Sequence, residues 1–242
     1  MKQNYKKISI IDLGGSIVIP YNDSGGQPDL VFLTNLRNFL SKRIAKGEKF
    51  VIVIGGGRTC RNYQQAAREA GNCSADQLDW LGIEATKLNA ALLSCVFHNN
   101  AYKKIISHKP NRRQINLFLK SGMEILISSG WAPGWSTDYD AIVLAALFGQ
   151  KQVVVVSDIA FVCDKDPRKF SDAKPLKDLL WSEFENYVPS VWTPGLSSPL
   201  DPKATQLAKK NKITVKMVKG SDWDSFDAAL DGKDFIGTTI HS

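Results

Sequence analysis

The stretch Phe50-Val-Ile-Val-Ile-Gly-Gly-Gly57 decides how this chain folds. Every residue from Phe50 to Ile54 is apolar, so neither face of the predicted strand is polar. Strands of this kind lie inside parallel sheets, because helices cover such sheets on both sides. The three glycines that follow indicate a turn at the carboxyl end of the strand. The stretch therefore predicts an α/β protein built on a buried, largely parallel sheet.

The same order of strand, turn and helix recurs along the chain. Ile8–Leu13 predicts a strand that runs into Gly14-Gly15-Ser16, and Glu124–Ser128 predicts one that leads to Ser129-Gly130. A weaker strand signal lies at Lys104–Ile106. Further strands are predicted at Gln152–Ser157, Ile213–Val218 and Phe235–Ile240, and helices at Leu30–Ala45, Arg58–Ala70, Asp76–Cys95, Asp138–Phe148, Pro202–Lys210 and Trp223–Leu230.

Length and composition limit the class of protein. With 242 residues, 43% of them hydrophobic and 23% charged, the chain can bury a core as one unit, which excludes a disordered protein. Its longest apolar runs, such as Ala141–Phe148, fall far short of the roughly 20 residues of a membrane-spanning helix. The polar start Met1–Lys7 lacks the apolar core of a signal peptide. We therefore expect a cytoplasmic protein with no membrane partner.

The formal net charge of +7 raises the question of a nucleic-acid partner. Lysines and arginines are spread over the whole chain with acids between them, and no basic stripe is interleaved with aromatic residues. This distribution predicts no nucleic-acid binding and fits an enzyme that acts on small anions. The four cysteines form no C-x-x-C pair, so neither a zinc site nor a structural disulfide is expected.

Glycine turns after three strands point to the chemistry. In an open α/β sheet, ligands bind at the carboxyl ends of the strands, where backbone N–H groups attract phosphates. Glycine lets the backbone approach an anion because it has no Cβ. One such turn is ordinary loop composition, whereas three at one edge favour a phosphate site. No Walker, G-x-G-x-x-G or G-x-S-x-G motif is present, and the three histidines lack metal-ligand spacing.

An ordered set of short motifs resembles the amino-acid-kinase superfamily, and within it the uridylate (UMP) kinases of the archaeal and related bacterial type. The resemblance runs from about Lys7 to Ile240 without large gaps. The motifs are Gly14-Gly-Ser16, Val51-Ile-Val-Ile-Gly-Gly-Gly57 with Arg58 and Arg61, Leu78-Asp-Trp-Leu-Gly-Ile83 with Ala85-Thr86 and Asn89, Gly130-Trp-Ala-Pro-Gly134 with Ser136-Thr-Asp138, Asp164-Lys-Asp-Pro-Arg-Lys169, Pro194-Gly-Leu-Ser-Ser198 with Leu200-Asp-Pro202, and Gly237-Thr-Thr-Ile240.

The resemblance implies a three-layer αβα sandwich with a largely parallel central sheet. It implies one domain over residues 1–242, in which residues 1–150 hold the acceptor nucleotide and residues 151–242 hold the donor. The implied reaction transfers the γ-phosphoryl of Mg-ATP to UMP and yields UDP. Such transfer needs two anions held in line with their charge neutralised. The implied assembly is a homo-oligomer, a hexamer in the family.

The resemblance also assigns binding roles residue by residue. Arg61 would clamp the acceptor phosphate, Asp79 would accept from the ribose hydroxyls, and Thr137 would bind the acceptor nucleotide. Without the resemblance each residue has an ordinary alternative role. Arg61 could be an exposed helix arginine, Asp79 an acid that offsets the helix dipole, and Thr137 a helix N-cap. The implied UMP set is Gly55, Gly56, Gly57, Arg61, Asp79, Gly82, Gly130, Pro133, Gly134 and Thr137. The implied ATP set is Gly14, Gly15, Ser157, Asp158, Cys163, Asp166 and Arg168.

The candidate catalytic residues include a departure from the family. Gly14, Gly15 and Ser16 would cradle the transferred phosphoryl, but many members of the superfamily carry lysine where this chain has Asp12. Positive charge must then come from the Mg²⁺ of ATP and from another cation, for which Lys203 is the candidate and a surface lysine is the alternative. We expect no metal from fixed protein ligands, although an aspartate at position 12 could support a metal or its waters.

The donor loop departs further. Relatives often show an Asp-Gly pair and an aromatic residue after the buried strand, whereas Ser157-Asp-Ile-Ala-Phe-Val-Cys163 has lost the pair and places Cys163 at the aromatic position. A cysteine offers less stacking area to a purine. Two alternatives to a UMP kinase therefore stay open: a catalytically weak nucleotide-binding regulatory relative, and a kinase of another small phosphate such as isopentenyl phosphate.

Overall fold

The computed structural model describes residues 6–21, 26–165, 169–195 and 198–242. The strands in this part of the chain are β1 (Lys7–Leu13), β2 (Glu48–Ile54), β3 (Ile125–Ser128), β4 (Gln152–Ser157), β5 (Val162–Cys163), β6 (Pro175–Leu176), β7 (Asp178–Leu180), β8 (Thr214–Lys219) and β9 (Gly237–His241). Seven of them form one sheet in the order β3-β2-β1-β4-β8-β9-β7. The strands β5 and β6 form a separate antiparallel pair.

Helices cover both faces of the sheet. Side chains cap several of their first turns: Asp29 accepts from Phe32 N at 2.9 Å, and Ser74 accepts from Gln77 N at 3.2 Å. Within the described ranges, no helix is both long enough and apolar enough to cross a membrane. The helices are α1 (Gly15–Val18), α2 (Leu30–Ile44), α3 (Gly57–Ala70), α4 (Ala75–Val96), α5 (Arg112–Lys120), α6 (Thr137–Leu147), α7 (Trp181–Phe184), α8 (Pro202–Asn211) and α9 (Trp223–Asp231), with a 3₁₀ turn at Glu185–Tyr187.

The strand β1 is the centre of the parallel part of the sheet. It pairs in parallel with β2 on one side and β4 on the other, and β2 pairs in parallel with β3. The strand ends Leu13, Ile54, Ser128 and Ser157 therefore lie at one edge. The chain passes from β1 to β2 and β3, then returns to β4 on the opposite side of β1. Such a reversal of strand order opens a crevice outside the carboxyl ends of the strands.

Side chains of the sheet alternate between two apolar layers. On β1, Ile8 and Ile10 pack into the layer that contains α6 and α8, whereas Ile11 and Leu13 pack into the layer that contains α2, α4 and α9. The predicted three-layer αβα arrangement around a largely parallel sheet is thus confirmed. By the same alternation Asp12 shares the α6 face with Ile8 and Ile10, which places its carboxyl group among the residues that open α6.

Most predicted elements occur with bounds that differ by a few residues, and two differences are larger. The predicted strand at Lys104–Ile106 is wrong, because only Ile106 is buried and it forms a single parallel bridge to Ser128 beside β3. The helical turn α1 was not expected, because its glycines predict only a loop. It forms where Ile17 N and Ile19 N donate to the carbonyls of Gly14 and Gly15 at 3.1 and 2.8 Å.

A buried arginine ties three elements together on the face away from α6. Arg43, in the last turn of α2, has a side chain that is 4% exposed. It donates to Glu48 at 2.9 Å and to Asp227 and Asp231 at 2.5 Å each, which joins α2, β2 and α9. The hydrogen bonds from Arg43 hold the pKa of Asp231 below its usual range. Arg43 therefore joins three acids, of which Asp231 also pairs with Lys233 at 3.3 Å and with Lys7 at 3.8 Å.

Replacement of this arginine tests its contribution to stability. We expect Arg43→Met to lower the free energy of unfolding by about 2 kcal/mol, less than for a fully buried pair because Asp227 and Asp231 are 46% and 31% exposed. Urea unfolding at neutral pH measures the loss. The matched control is Arg37→Met on the exposed side of α2, which should change stability by less than about 0.5 kcal/mol. Equal effects of the two substitutions would contradict the assignment.

Candidate active site

A cavity of about 620 Å³ lies at the carboxyl edge of the parallel strands, where the sheet order reverses. Pro133, Gly134 and Lys203 are not part of its described wall. Asp166 and Arg168 lie outside the described residues. The other residues singled out from the sequence all line it: Asp12, Gly14, Gly15, Ser16, Gly55, Gly56, Gly57, Arg61, Asp79, Gly82, Gly130, Thr137, Ser157, Asp158 and Cys163.

Two glycine turns touch each other on the floor of this cavity. A Cβ placed on Gly15 would lie 2.2 Å from Gly57 N and 2.5 Å from the carbonyl carbon of Gly55, so no side chain fits there. Gly57 has a φ of +61°, in the left-handed region, and its own Cβ would lie 2.3 Å from Gly15 O. The turns after β1 and β2 are therefore packed backbone to backbone. Both turns also line the cavity, so a ligand there can contact their backbone.

The helix α4 holds the glycine turns in place. Asn89 Nδ2 donates to Gly55 O at 2.8 Å, and Gly130 N donates to Thr86 Oγ1 at 2.8 Å. Gly82 lets α4 approach α3, because a Cβ there would lie 3.0 Å from Gln64 Nε2. These contacts give structural reasons for the residue types at 82, 86 and 89, which the sequence presented only as a motif.

Arg61 lies at the α3 side of the cavity and meets a loop from the second half of the chain. Its guanidinium donates to Gly195 O, and the nearby Arg68 donates to Pro194 O at 3.1 Å. Tyr187, Pro189, Trp192 and Gly195 also line the cavity, so we call residues 187–195 the strap. The strap thus covers the end of the cavity where the acceptor phosphate was predicted.

Asp79 is bound by the same strap. Its Oδ2 accepts from Gly134 N at 2.8 Å and from Trp192 Nε1 at 3.1 Å, while Oδ1 has no hydrogen bond to any described residue. The helix starts at Ala75, so Asp76, and not Asp79, is the acid of its first turn. The acid that offsets the helix dipole is therefore Asp76. This alternative does not explain Asp79, which stays a candidate for ligand binding.

Thr137 is the first residue of α6 and is not its cap. Ser136 is the N-cap, because its Oγ accepts from Asp138 N at 3.0 Å. The Oγ1 atom of Thr137 lies 3.7 Å from the position of a Cβ built on Gly55. The hydroxyl group of Thr137 is therefore beside the glycine turn of β2 and is available to a ligand.

Four carboxyl groups gather where β1 meets the start of α6. Asp12 is 2% exposed, Asp140 is not exposed at all, and Asp138 and Asp201 are beside them. Burial, followed by the nearby charge of Asp138, raises the pKa of Asp12 well above its ordinary value. Burial raises the pKa of Asp138 to about 6 and that of Asp140 to about 8.

Asp201 joins this cluster to the start of α8. Its Oδ1 caps the helix by accepting from Ala204 N at 2.8 Å, and its Oδ2 accepts from Ser136 N and Oγ at 3.0 and 2.6 Å. Its own N–H donates to Asp138 Oδ2 at 3.0 Å. The N-termini of α6 and α8 therefore meet at one point beside the cavity, which brings two positive helix dipole ends toward the acids.

The donor end of the cavity is formed by β4 and the hairpin β5–β6. Ser157, Asp158 and Cys163 line it, and Ser157 Oγ donates to Asp158 Oδ1 at 3.2 Å. Lys165 also lines the cavity, with its Nζ 2.6 Å from Asp172 Oδ2 and 5.4 Å from the ring of Phe170. Lys165 is therefore a lysine at the donor end that the sequence analysis did not single out.

Lys203 lies behind the wall of the cavity. Its Nζ is 5.2 Å from the ring centroid of Trp135, a residue that does line the cavity. A Cβ placed on Gly134 would be 3.3 Å from the same Nζ. In this conformation the side chain of Trp135 therefore lies between Lys203 and the cavity.

Sequence reasoning missed Asp140, Trp192 and Lys165, and it gave Asp138 no role. Asp138 and Lys165 belong to motifs that were quoted, so the signal for them was present. Asp140 lies two residues after Asp138, near the N-terminus of α6, where acids are ordinary. Trp192 is 113 residues from Asp79 in the chain, and nothing local connects them.

The buried acids make stability depend on pH. Asp140 binds its proton more tightly in the folded chain, so its contribution to stability is complete below its ordinary pKa and is lost as the pH rises toward about 8. We expect Asp140→Asn, which keeps the acceptor for Trp135, to reduce the slope of unfolding free energy against pH by about 1.4 kcal/mol per unit between pH 4 and 8. Urea unfolding with a chelator present measures this slope, and exposed Asp234→Asn is the control. A slope that is the same in Asp140→Asn and in the unmodified chain would contradict a raised pKa of Asp140.

Comparison with known proteins agrees with this architecture. The sequence profile of the Amino acid kinase family matches residues 7–219. A crystal structure of uridylate kinase from Archaeoglobus fulgidus superposes with a TM-score of 0.75 at 24% identity, over 96% of this chain and 99% of that chain. A structure of UMP kinase from Ureaplasma parvum superposes with a TM-score of 0.77 at 19% identity, over 98% and 99%. These likenesses confirm the fold.

Two uridylate kinases are more than 30% identical in sequence to this chain. A uridylate kinase of Methanocaldococcus jannaschii is 32% identical over 213 residues, which are 88% of this chain and 90% of the relative. A uridylate kinase of Hyperthermus butylicus is 34% identical over 196 residues, which are 80% of this chain and 83% of the relative. The family predicted from the motifs is confirmed. This chain belongs to the amino acid kinase family and, within that family, to the uridylate kinases.

Proposed function

We propose that this cavity is the active site of a UMP kinase that transfers the γ-phosphoryl of ATP to UMP and yields UDP. The observation that carries the proposal is the convergence of Arg61 and Asp79 at one end of the cavity, with the glycine turn at Gly15 between them and the donor end. Membership in the uridylate kinases supports the acceptor. Phosphoryl transfer requires two bound phosphates in line, and one cavity spanning both ends of the site provides this.

The acceptor phosphate would bind where α3 begins. The backbone N–H groups of Gly56 and Gly57 and the positive end of the α3 dipole attract an anion there, whereas the N–H of Gly55 donates to Leu13 O at 3.0 Å. Arg61 can replace its bond to Gly195 O by a bidentate bond to the phosphate, because a charged acceptor binds a guanidinium more strongly than a carbonyl does. The strap therefore has to move when UMP enters.

The acceptor sugar would lie against Asp79. Gly134 N and Trp192 Nε1 both bind Oδ2, which leaves Oδ1 for the ribose hydroxyls. Gly82, Gly130 and Thr137 line the cavity and would complete the acceptor side, whereas Pro133 and Gly134 lie outside its described wall. Isopentenyl phosphate has no such hydroxyls, so the position of Asp79 favours a nucleotide over that alternative.

The donor nucleotide would occupy the opposite end. Gly14, Gly15 and Ser16 would cradle the transferred phosphoryl, and Ser157, Asp158 and Cys163 would contact the rest of ATP. Asp166 and Arg168 complete the ATP set implied by the resemblance and lie outside the described residues. When bound with ATP, Mg²⁺ neutralises phosphate charge and so favours attack by the acceptor oxygen. Orphaned carboxylate oxygens at Asp12 and Asp140 are hard donors of the kind that suit this ion. Lys165, which lines the donor end, and Lys203, which lies behind Trp135, are the candidate lysines for the transferred group.

We also propose a homo-oligomer, hexameric as in the family resemblance, and a cytoplasmic location. Exposed apolar side chains on α3 and α4 support self-association, since Tyr63, Trp80 and Leu88 are 62%, 45% and 63% exposed. Light scattering of the purified chain measures the assembly. The division into an acceptor half and a donor half is likewise part of this proposal.

Removal of the phosphate clamp tests the acceptor site. We expect Arg61→Ala to raise KM for UMP and to lower kcat/KM about 100-fold, which corresponds to about 3 kcal/mol for a charge-assisted phosphate contact. Steady-state assays with Mg-ATP measure both constants. Arg68→Ala is the matched control, because Arg68 also binds the strap but does not line the cavity. An unchanged KM for UMP in Arg61→Ala would show that the phosphate binds elsewhere.

The sugar contact is tested by the choice of acceptor. We expect Asp79→Asn to reduce the preference for UMP over dUMP about 10-fold, because a carboxylate is a stronger acceptor for the 2′-hydroxyl than an amide is. Competition between the two acceptors measures the ratio of kcat/KM values. Trp192→Phe, which removes only the indole donor to Asp79, serves as the comparison. Equal losses with UMP and dUMP in Asp79→Asn would assign Asp79 to holding the turn at Gly134.

A further inference from the structure

The acids beside the Gly14-Gly15 turn have unused ligand atoms. Asp12 Oδ2 and Asp140 Oδ2 are shielded from solvent and have no hydrogen-bond partner, and both residues line the cavity. Asp12 is 2% exposed and Asp140 is fully buried. An unpaired buried carboxylate oxygen is costly, so such atoms persist where a ligand engages them. Hard oxygen donors of this kind are the ligands that Mg²⁺ and Mn²⁺ prefer.

The charge of the cavity wall also favours a bound cation. Of the described residues that line it, two are basic, Arg61 and Lys165. Six are acidic: Asp12, Asp79, Asp138, Asp140, Asp158 and Asp164. Arg61 is at the acceptor end, and Lys165 is paired with Asp172. A cavity with this excess of acids repels phosphates unless protons on the buried acids or a bound cation offset the negative charge.

The packing decides which acids can act as ligands. Asp138 lines the cavity with Asp12, and its Oδ2 accepts from Asp201 N at 3.0 Å. One oxygen of Asp140 is already bound to Trp135 Nε1 at 2.8 Å, and its other oxygen is unpaired. Among the described residues, no group of three or more His, Cys, Asp or Glu side chains is arranged to hold a metal by itself. Two carboxylates with waters and phosphate oxygens are, however, the usual set for Mg²⁺ beside a nucleotide.

We propose that Asp12 and Asp138 bind a divalent cation beside the Gly14-Gly15 turn, with a water on this cation donating to Asp140. The site places positive charge on the strand end where many members of the superfamily carry a lysine. Its part in phosphoryl transfer rests on the proposed function, whereas the binding of the cation does not. Asp12 is thereby a metal ligand, and Asp140 orients a metal-bound water.

Mn²⁺ binding to the nucleotide-free protein tests the site, with free Mn²⁺ measured by electron paramagnetic resonance. We expect the unmodified chain to bind one Mn²⁺ at this site and Asp12→Asn to bind it at least about 10-fold more weakly. Asp12→Lys, which restores the lysine of the superfamily, should abolish binding. Exposed Asp234→Asn should bind as the unmodified chain does. Circular dichroism and urea unfolding show whether each variant is folded.

The outcomes separate the cation site from the proposed reaction. No Mn²⁺ binding by the unmodified chain at millimolar Mn²⁺, or equal binding by the folded Asp12→Asn variant, would overturn the site. If Asp12→Asn does not fold, Asp138→Asn takes its place with the same expectation. Binding that is lost in Asp12→Asn supports the site even if no acceptor is phosphorylated. In that case the proposed function fails and the cation site stands.

Discussion

The backbone contact between the turns after β1 and β2 is the constraint on which the site depends. Gly15 and Gly57 approach so closely that any side chain at either position would displace one of the two strands. The parallel pairing of β1 with β2 and β4 brings these turns to one edge. Every other wall of the cavity is positioned from this edge: α4 through Asn89 and Gly55, and α6 through Thr137.

The same edge collects more negative charge than a phosphate site should hold. The pleat of β1 turns Asp12 toward α6, where Asp138 and Asp140 occupy the first turn and where Asp201 links α6 to α8. Two helix N-termini offset part of this charge, and protons or a cation must offset the rest. The chain therefore differs from a site built around a lysine at the same strand position. It keeps the geometry of an anion site, and the proposed cation would supply the positive charge that the lysine supplies elsewhere.

The strap adds a second constraint, on the acceptor side. Trp192 and Gly195 bind the two side chains, Asp79 and Arg61, that would recognise UMP. These contacts hold both side chains in place before any ligand is present. On the proposed function, the strap would then have to move when UMP binds. On the proposed function, UMP would replace the bond from Arg61 to Gly195 O and would leave the bond from Trp192 to Asp79 in place. Loops poised over preformed sites are common in enzymes that exclude water from phosphoryl transfer.

The sequence by itself determined the sheet, because strands such as Phe50–Ile54 are apolar on both faces, and it placed the glycine turns at one edge. It also identified the family, from motifs that are local in the chain. It failed at Lys104–Ile106, where burial at the edge of the sheet and not strand propensity decides the structure. Only the tertiary structure brought Asp12 against Asp138 and Trp192 against Asp79. Contacts over such sequence separations follow from packing of whole elements, which no local pattern of residues encodes.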